Sequence, residues 1–389
     1  MKNNRKYSDL YITICVVLLA ILSCVMIFST WSITSVVFGE SSSFGILAKQ
    51  LVIIFLSFGT YFVMMHIQYN FFKKYAYIFY LIAVVLLILV FFFPKVNDSH
   101  SWIPLPFIGL QPSEFAKLAL IISVAKYYDN IIRKKIKMDY STWFFIPLLP
   151  ILIVLLAIFL QPDPGTTLII ILFLFVMLFA TGFKFRYVLK SFIKFVPLIT
   201  VVLVITFIVN VIYDGAVINY FLSSQARMIS RIADFKDPCS KIIGSGFQIC
   251  NSLIAINSGG ITGKGLGGST QKYLYVPEAH TDGIFAITGE ELGLVATLFI
   301  MLLYAVIIFR IIYYAKKTDS IFAYLVCIGI AFMYLAHIFI NIAGILNIIP
   351  FTGVPLPFYS YGGTFSIICF ASLGLIQSIA ISVNRERVE

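Results

Sequence analysis

Asp282 closes a long polar run and stands where an apolar segment begins. A carboxylate at a water–lipid boundary is partly desolvated, and desolvation raises its basicity. Such a group can act as general base on a sugar hydroxyl. Aspartate is also a good helix N-cap, so residue chemistry alone leaves both roles open. His280, two positions earlier, has no other His or Cys close by in sequence and makes a poor metal site. A second candidate is Glu114 with Lys117, three apart in an apolar helix and therefore on one face. Ionisable groups at membrane depth are costly and usually face a polar cavity. Lys117 can hold a phosphate there and Glu114 can orient it; the alternative is an ion pair that locks this helix to its neighbours. The polar run adds Arg227, Arg231, Lys236, Lys241, Lys264 and Lys272, with glycines between 259 and 268 whose amides could approach an anion. No Walker motif accompanies them, and solvated loop charge is the ordinary account. Glu290 and Glu291 follow inside the next apolar segment, where buried structural hydrogen bonding is expected for at least one.

The elements that must carry these groups are membrane spans. Hydrophobic residues form 60% of the 389-residue chain and charged residues 12%. Apolar stretches lie at about 9–30, 45–66, 75–94, 112–128, 143–160, 165–183, 190–213, 283–309, 320–346 and 358–383. A spanning helix needs about 20 apolar residues. Backbone groups in lipid must bond within their own segment, so even the Ile-, Val- and Phe-rich stretches are expected to be helices. The alternating segments of about ten residues that mark a barrel are missing. The expected fold is therefore an all-α, polytopic integral membrane protein with about ten transmembrane helices. It forms a single domain over 1–389, with one long loop, about 214–282, between the seventh and eighth spans.

The net charge of +11 follows this topology and gives no ground for a nucleic-acid partner. With the N-terminus in the cytoplasm, most basic residues fall at cytoplasmic ends, among them Lys73, Lys74, Arg133 to Lys135, Arg186, Arg310, Lys316 and Arg385. Both termini are then cytoplasmic and the long loop is outside, where most Pro-Gly punctuation and acidic residues also gather. The first apolar stretch lacks a small-x-small cleavage site and reads as an uncleaved span. Cys15, Cys24, Cys327 and Cys369 lie in apolar spans as small hydrophobes. Cys239 and Cys250 share the long loop, where an oxidising exterior would permit a disulfide; two separate thiols are the alternative.

Five motifs occur in order along the chain: Gln-Pro-Ser-Glu-Phe-Ala-Lys (111–117), Gln-Pro-Asp-Pro-Gly-Thr (161–166), the run from Gly-Ser-Gly-Phe-Gln to His-Thr-Asp (244–282), Gly-Glu-Glu-Leu-Gly (289–293) and Pro-Leu-Pro-Phe-Tyr-Ser-Tyr-Gly-Gly (355–363). Together they resemble the SEDS family of FtsW, RodA and SpoVE over nearly the whole chain, and the wording of 271–282 looks nearer to the FtsW branch. The resemblance implies a peptidoglycan glycosyltransferase of the bacterial cytoplasmic membrane, polymerising lipid II on its outer face in cell division. It implies Asp282 as the essential residue, and substrate contacts from Trp102, Glu114, Lys117, Lys264, Gln271, Lys272, Glu278, His280 and Ser360. It further implies a class B penicillin-binding protein as transpeptidase partner, other division or elongation proteins, and contact with membrane lipid. No metal ligand is assigned; a divalent ion such as Mg2+ or Mn2+ remains an open choice for the leaving pyrophosphate. Three positions depart from the family pattern: Gly283 where Phe is usual, Pro164 where Leu or Phe is usual, and Ser101 where a basic residue is common. A lipid II flippase and a non-catalytic division scaffold are the competing functions. The first would need charges spread through the membrane depth, and the second would not need Asp282.

Overall fold

The apolar stretches form helices in the computed structural model, which describes residues 4–31, 43–94, 99–105, 109–135, 146–161, 163–182, 230–240, 244–273, 275–276 and 278–387. In chain order they are α1 (Leu10–Trp31), α2 (Ser43–His66), α3 (Tyr69–Leu89), α4 (Pro112–Arg133), α5 (Ile146–Leu160), α6 (Pro164–Ala180), α7 (Ser245–Gly259), α8 (Ile284–Lys317), α9 (Ile321–Ile345) and α10 (Gly363–Glu386). Six of them, α1, α2, α3, α8, α9 and α10, are long and apolar enough to cross a membrane, and α5 and α6 are shorter apolar helices. The seventh expected stretch, 190–213, lies outside the described residues, as does the start of the long loop. Large apolar side chains such as Phe55, Leu81, Val85, Val295 and Phe309 point outward. Outward apolar faces on adjacent helices suit a hydrocarbon solvent, and the chain is a multi-pass, all-helical membrane protein.

Polar residues sort inward. α4 carries Glu114, Lys117 and Asp129 and is the interior helix: Pro112 to Ala125 is buried except at Phe115. It packs against α3 and α9. Pro112 opens it at the first turn, where the missing N–H costs nothing. Two departures from the family pattern find local roles. Pro164 is the first residue of α6, capped by the Asp163 carboxylate, which accepts from the Thr166 amide at 3.0 Å. The Ser101 hydroxyl donates to the Gln161 carbonyl at 3.1 Å.

The described part of the long loop is more ordered than its sequence foretells. It contains α7, whose Ser, Asn and Gly content hides its helical period, and Cys239 is bonded to Cys250 at the start of that helix. α10 begins at Gly363 rather than at 358, because residues 356–360 form a tight turn. There Phe358 has φ 64°, and the Ser360 hydroxyl accepts from the Leu356 amide at 2.9 Å.

α8 is two helical pieces. Gly293 (φ 75°, ψ −173°) breaks it nine residues in, a conformation open to glycine and strained for other residues. The break would orphan backbone groups on both sides, and the loop supplies their partners. The Lys264 and Gly265 amides donate to the Glu290 and Glu291 carbonyls, both at 2.9 Å. In return the Leu294 and Val295 amides donate to the Gly260 and Ile261 carbonyls, at 3.0 and 3.3 Å. The two glutamates at the break then bind the loop through their side chains. Glu290 accepts from Lys264 Nζ at 2.6 Å, from the Ser269 hydroxyl at 2.5 Å and from the Thr270 amide at 3.0 Å. Glu291 accepts from Lys272 Nζ at 2.8 Å and from the Ser29 hydroxyl of α1 at 2.8 and 2.7 Å. Both Lys272 and Glu291 are almost wholly buried, with side-chain exposures of 1% and 0%.

Removing one member of a buried ion pair leaves a lone charge. Lys272→Met is therefore expected to cost about 3–5 kcal/mol. Glu291→Gln with Lys272→Met should recover most of it, read as thermal unfolding in detergent. A single variant as stable as the double would contradict the pairing.

Candidate active site

The loop pinned by Glu290 and Glu291 ends at Asp282, a residue only 7% exposed. Asp282 does not cap α8: Gly283 holds the N-cap position, and no side chain caps there. The carboxylate instead faces the loop. Gln248 Nε2, on α7, donates to Oδ1 at 3.3 Å, and the Thr281 hydroxyl reaches the same oxygen at 3.4 Å. Gly353, on the turn between α9 and α10, lies against Oδ2. A Cβ at that glycine would sit 3.1 Å from Oδ2 and 3.4 Å from a guanidinium nitrogen of Arg231. Arg231 itself donates to the Thr352 carbonyl at 2.6 Å. The backbone of Asp282 is also held: its carbonyl accepts from Asn341 Nδ2 at 2.9 Å.

Burial pushes the Asp282 carboxyl up to about 7, and the negative charge of Glu278 adds to the rise, while Arg231 and Gln248 pull it back. A carboxylate with a pKa near neutrality is matched to general-base work. Burial holds the His280 imidazole below its ordinary value against the opposing pull of Glu278. Neutral His280 stacks edge-on against Tyr361 with ring centroids 5.5 Å apart, and its carbonyl accepts from the Tyr361 amide at 2.9 Å. Exposed Glu278 organises the turn through its carbonyl, which accepts from the Thr281 and Gly283 amides at 3.1 and 3.0 Å. The third departure is explained here: a Cβ at Gly283 would stand 2.6 Å from Val276 Cγ1, so Val276 fills that space.

The other sequence candidates fall in separate places. Trp102 packs its ring on Gly109 beside the antiparallel Ile103–Leu110 bridge. Gly109 is tied to the start of α10 by the Thr364 hydroxyl, which donates to its carbonyl at 2.5 Å. Lys117 is buried with both Glu114 oxygens at 2.9 Å and His337 Nε2 at 2.8 Å. Lys264 and Lys272 are engaged by Glu290 and Glu291, the Gln271 amide donates to Glu290 at 3.2 Å, and Ser360 closes its own turn. Among the described residues no group of three or more His, Cys, Asp or Glu is placed to hold a metal ion.

Sequence reasoning missed Gln248, Gly353, His337 and Asn341, and it had counted Arg231 only as loop charge. Gln248 ends a quoted motif, and His337 and Asn341 are polar residues in an apolar helix, which is the signal that could have found them.

A polytopic helical bundle with an occluded acid under a folded loop is the class this geometry defines. The FtsW, RodA and SpoVE family, described as cell cycle protein, is matched over residues 9–385, and the chain belongs to that family. It is 34% identical over 394 residues to the probable peptidoglycan glycosyltransferase FtsW of Bacillus subtilis (strain 168), covering 99% of this chain and 93% of that protein. It is 32% identical over 388 residues to stage V sporulation protein E of the same organism, covering 98% and 99%. Solved structures also share the fold. A chain of a peptidoglycan synthase complex that coordinates polymerization and crosslinking superposes with TM-score 0.72 at 23% identity, covering 98% and 99%. The rod shape determining protein RodA of Thermus thermophilus superposes with TM-score 0.66 at 22% identity, covering 98% of both chains.

The raised carboxyl makes a stability prediction. A group whose pKa is raised on folding stabilises fully below its unfolded value, and that stability is lost as pH rises through the folded value. For Asp282 the window runs from the ordinary 3.8 to about 7. The Tm of wild type relative to Asp282→Asn should fall across that window and level off above it. At pH 8 the Asn variant should be at least as stable as wild type. A gap that does not change with pH would contradict the buried acid.

Proposed function

We infer that the chain is a peptidoglycan glycosyltransferase acting in cell division. The reading is supported by family membership and by curated FtsW relatives at 30–34% identity that span most of the chain. The observation that carries the mechanism is the enclosure of the Asp282 carboxylate by Gln248 and the Gly353 turn, a burial that pushes its pKa up to about 7. The chain spans the membrane ten times, with both termini cytoplasmic and the 214–282 loop outside between the seventh and eighth spans. Its substrate is lipid II.

Asp282 takes the proton from the 4-hydroxyl of an acceptor N-acetylglucosamine. That oxygen attacks the anomeric carbon of the donor N-acetylmuramic acid, the configuration inverts, and undecaprenyl pyrophosphate leaves. Departing negative charge needs a positioned cation. Arg231 is the cation beside Asp282, whereas Lys117, Lys264 and Lys272 already serve carboxylates. A divalent ion would have to be held mainly by the pyrophosphate, given the sparse protein ligands, and no step here depends on one. A crosslinking partner of the class B penicillin-binding type is in keeping with the synthase complex whose chain shares this fold.

Asn keeps the size of Asp282 and removes its basicity. Asp282→Asn, purified with its partner, should lose lipid II polymerisation by about 10²–10⁴-fold, the range for a general base. Lipid II binding should persist. Near-normal polymerisation by the variant would end the mechanism. Polymerisation by neither form would favour a flippase or a scaffold.

A further inference from the structure

His337 is used by none of the steps above, yet it is a buried titratable residue at 2% exposure, in the second half of α9. Its partners fix its proton. Lys117 Nζ, which can only donate, lies 2.8 Å from Nε2, so Nε2 offers its lone pair. Nδ1 then carries the hydrogen and donates to the Pro355 carbonyl at 3.3 Å. The remaining reach of Lys117 goes to the Glu114 carboxylate, and the Phe365 ring covers both groups, with His337 at 5.1 Å and Lys117 Nζ at 5.7 Å.

One turn along the same helix face stands Asn341. Its Nδ2 donates to the Val354 carbonyl at 2.7 Å and to the Asp282 carbonyl at 2.9 Å. Two side chains of α9 thus hold consecutive carbonyls of the outer turn. The adjoining residue is Gly353, the one that lies against Asp282 Oδ2. The turn therefore cannot drift from Asp282 while both anchors hold. Asn341 ties it to the backbone of Asp282, and His337 ties it to the deep Glu114–Lys117 pair of α4.

We propose that His337 is a positioning residue: it joins the buried Glu114–Lys117 pair to the Pro355 carbonyl and so fixes the turn that packs on Asp282. Glu114 and Lys117 then act on the reaction through this turn, at a distance from the substrate. The proposal rests on Asp282 being the base of the polymerase.

The test compares His337→Leu, which fills the space and makes neither bond, with His337→Gln, which can accept from Lys117 and donate to Pro355. A catalytic group displaced by about 1 Å can lose 10²-fold in rate, so kcat for lipid II polymerisation should fall about 10- to 100-fold in the Leu variant with KM nearly unchanged. The Gln variant should stay near wild type, because it restores the same donor and acceptor. The pH of half-maximal rate should move lower in the Leu variant, as a loosened turn admits water to Asp282. If His337→Leu does not fold, His337→Asn replaces it, being too short to span both partners; its kcat should fall while that of Gln holds. Unchanged kcat in the Leu or Asn variant would overturn the proposal, and so would a Gln variant as impaired as either.

A second readout needs no activity. The midpoint of the pH-dependent Tm gap between each protein and its Asp282→Asn partner should move lower with His337→Leu and not with His337→Gln. Should wild type fail to polymerise, the functional reading falls. This midpoint then still decides whether His337 holds the turn: a shift supports it and an unmoved midpoint refutes it.

Discussion

Two adjacent carboxylates in a broken helix hold the loop-bearing end of this protein together. Glu290 and Glu291 sit where α8 is interrupted at Gly293, and each anchors a lysine of the loop between 260 and 272. A transmembrane helix can be broken only where its freed backbone groups find partners inside the protein. Here the loop gives two amides to the first helical piece and takes two from the second. The ion pairs and the backbone exchange need each other. Without the loop the break would expose unpaired carbonyls and two buried acids; without the acids the loop would carry a buried lysine, Lys272, with no counter-charge. Ser29 adds α1 to the same knot.

The consequence is a loop with little freedom on either side of Asp282. Upstream, residues 264–272 are fastened to α8, and downstream Gly283 opens that same helix. α7, stapled by Cys239–Cys250, brings Gln248 to one carboxylate oxygen, and the 352–355 turn closes over the other. A carboxylate enclosed this way is short of water and holds its proton to higher pH than a surface aspartate. Its solvation is replaced by a few oriented groups, the condition under which the proposed base would need little rearrangement. The cations expected to grip the substrate are mostly the ones that build this enclosure.

Much of this was legible in the sequence because lipid leaves few choices. Apolar stretches had to be helices, and those within the described residues are, six of them long and apolar enough to cross a membrane. The position of Asp282 at a loop–helix boundary was legible for the same reason, and so was the pairing of Glu114 with Lys117, since i,i+3 neighbours must meet on one face. The partners of Lys264 and Lys272 were not, because Glu290 and Glu291 look like ordinary members of a membrane helix until Gly293 is seen to break it. α7 was hidden by its Ser, Asn and Gly content, and its order depends on tertiary contacts. The roles of Gly353, His337 and Asn341 depend on a turn whose path no local pattern encodes. Phe358 shows the point: a bulky residue at φ 64° is held there by the bonds around it, against its own preference.

As the proposed base, Asp282 is held in this fold so that it titrates near neutrality. The most direct measurement is kcat/KM for lipid II polymerisation between pH 5 and 9, with the partner protein present. The account predicts an ascending limb with its midpoint at about 7, reporting the free enzyme's base. A rate that is flat across this range, as an ordinary exposed carboxylate would give, would contradict it.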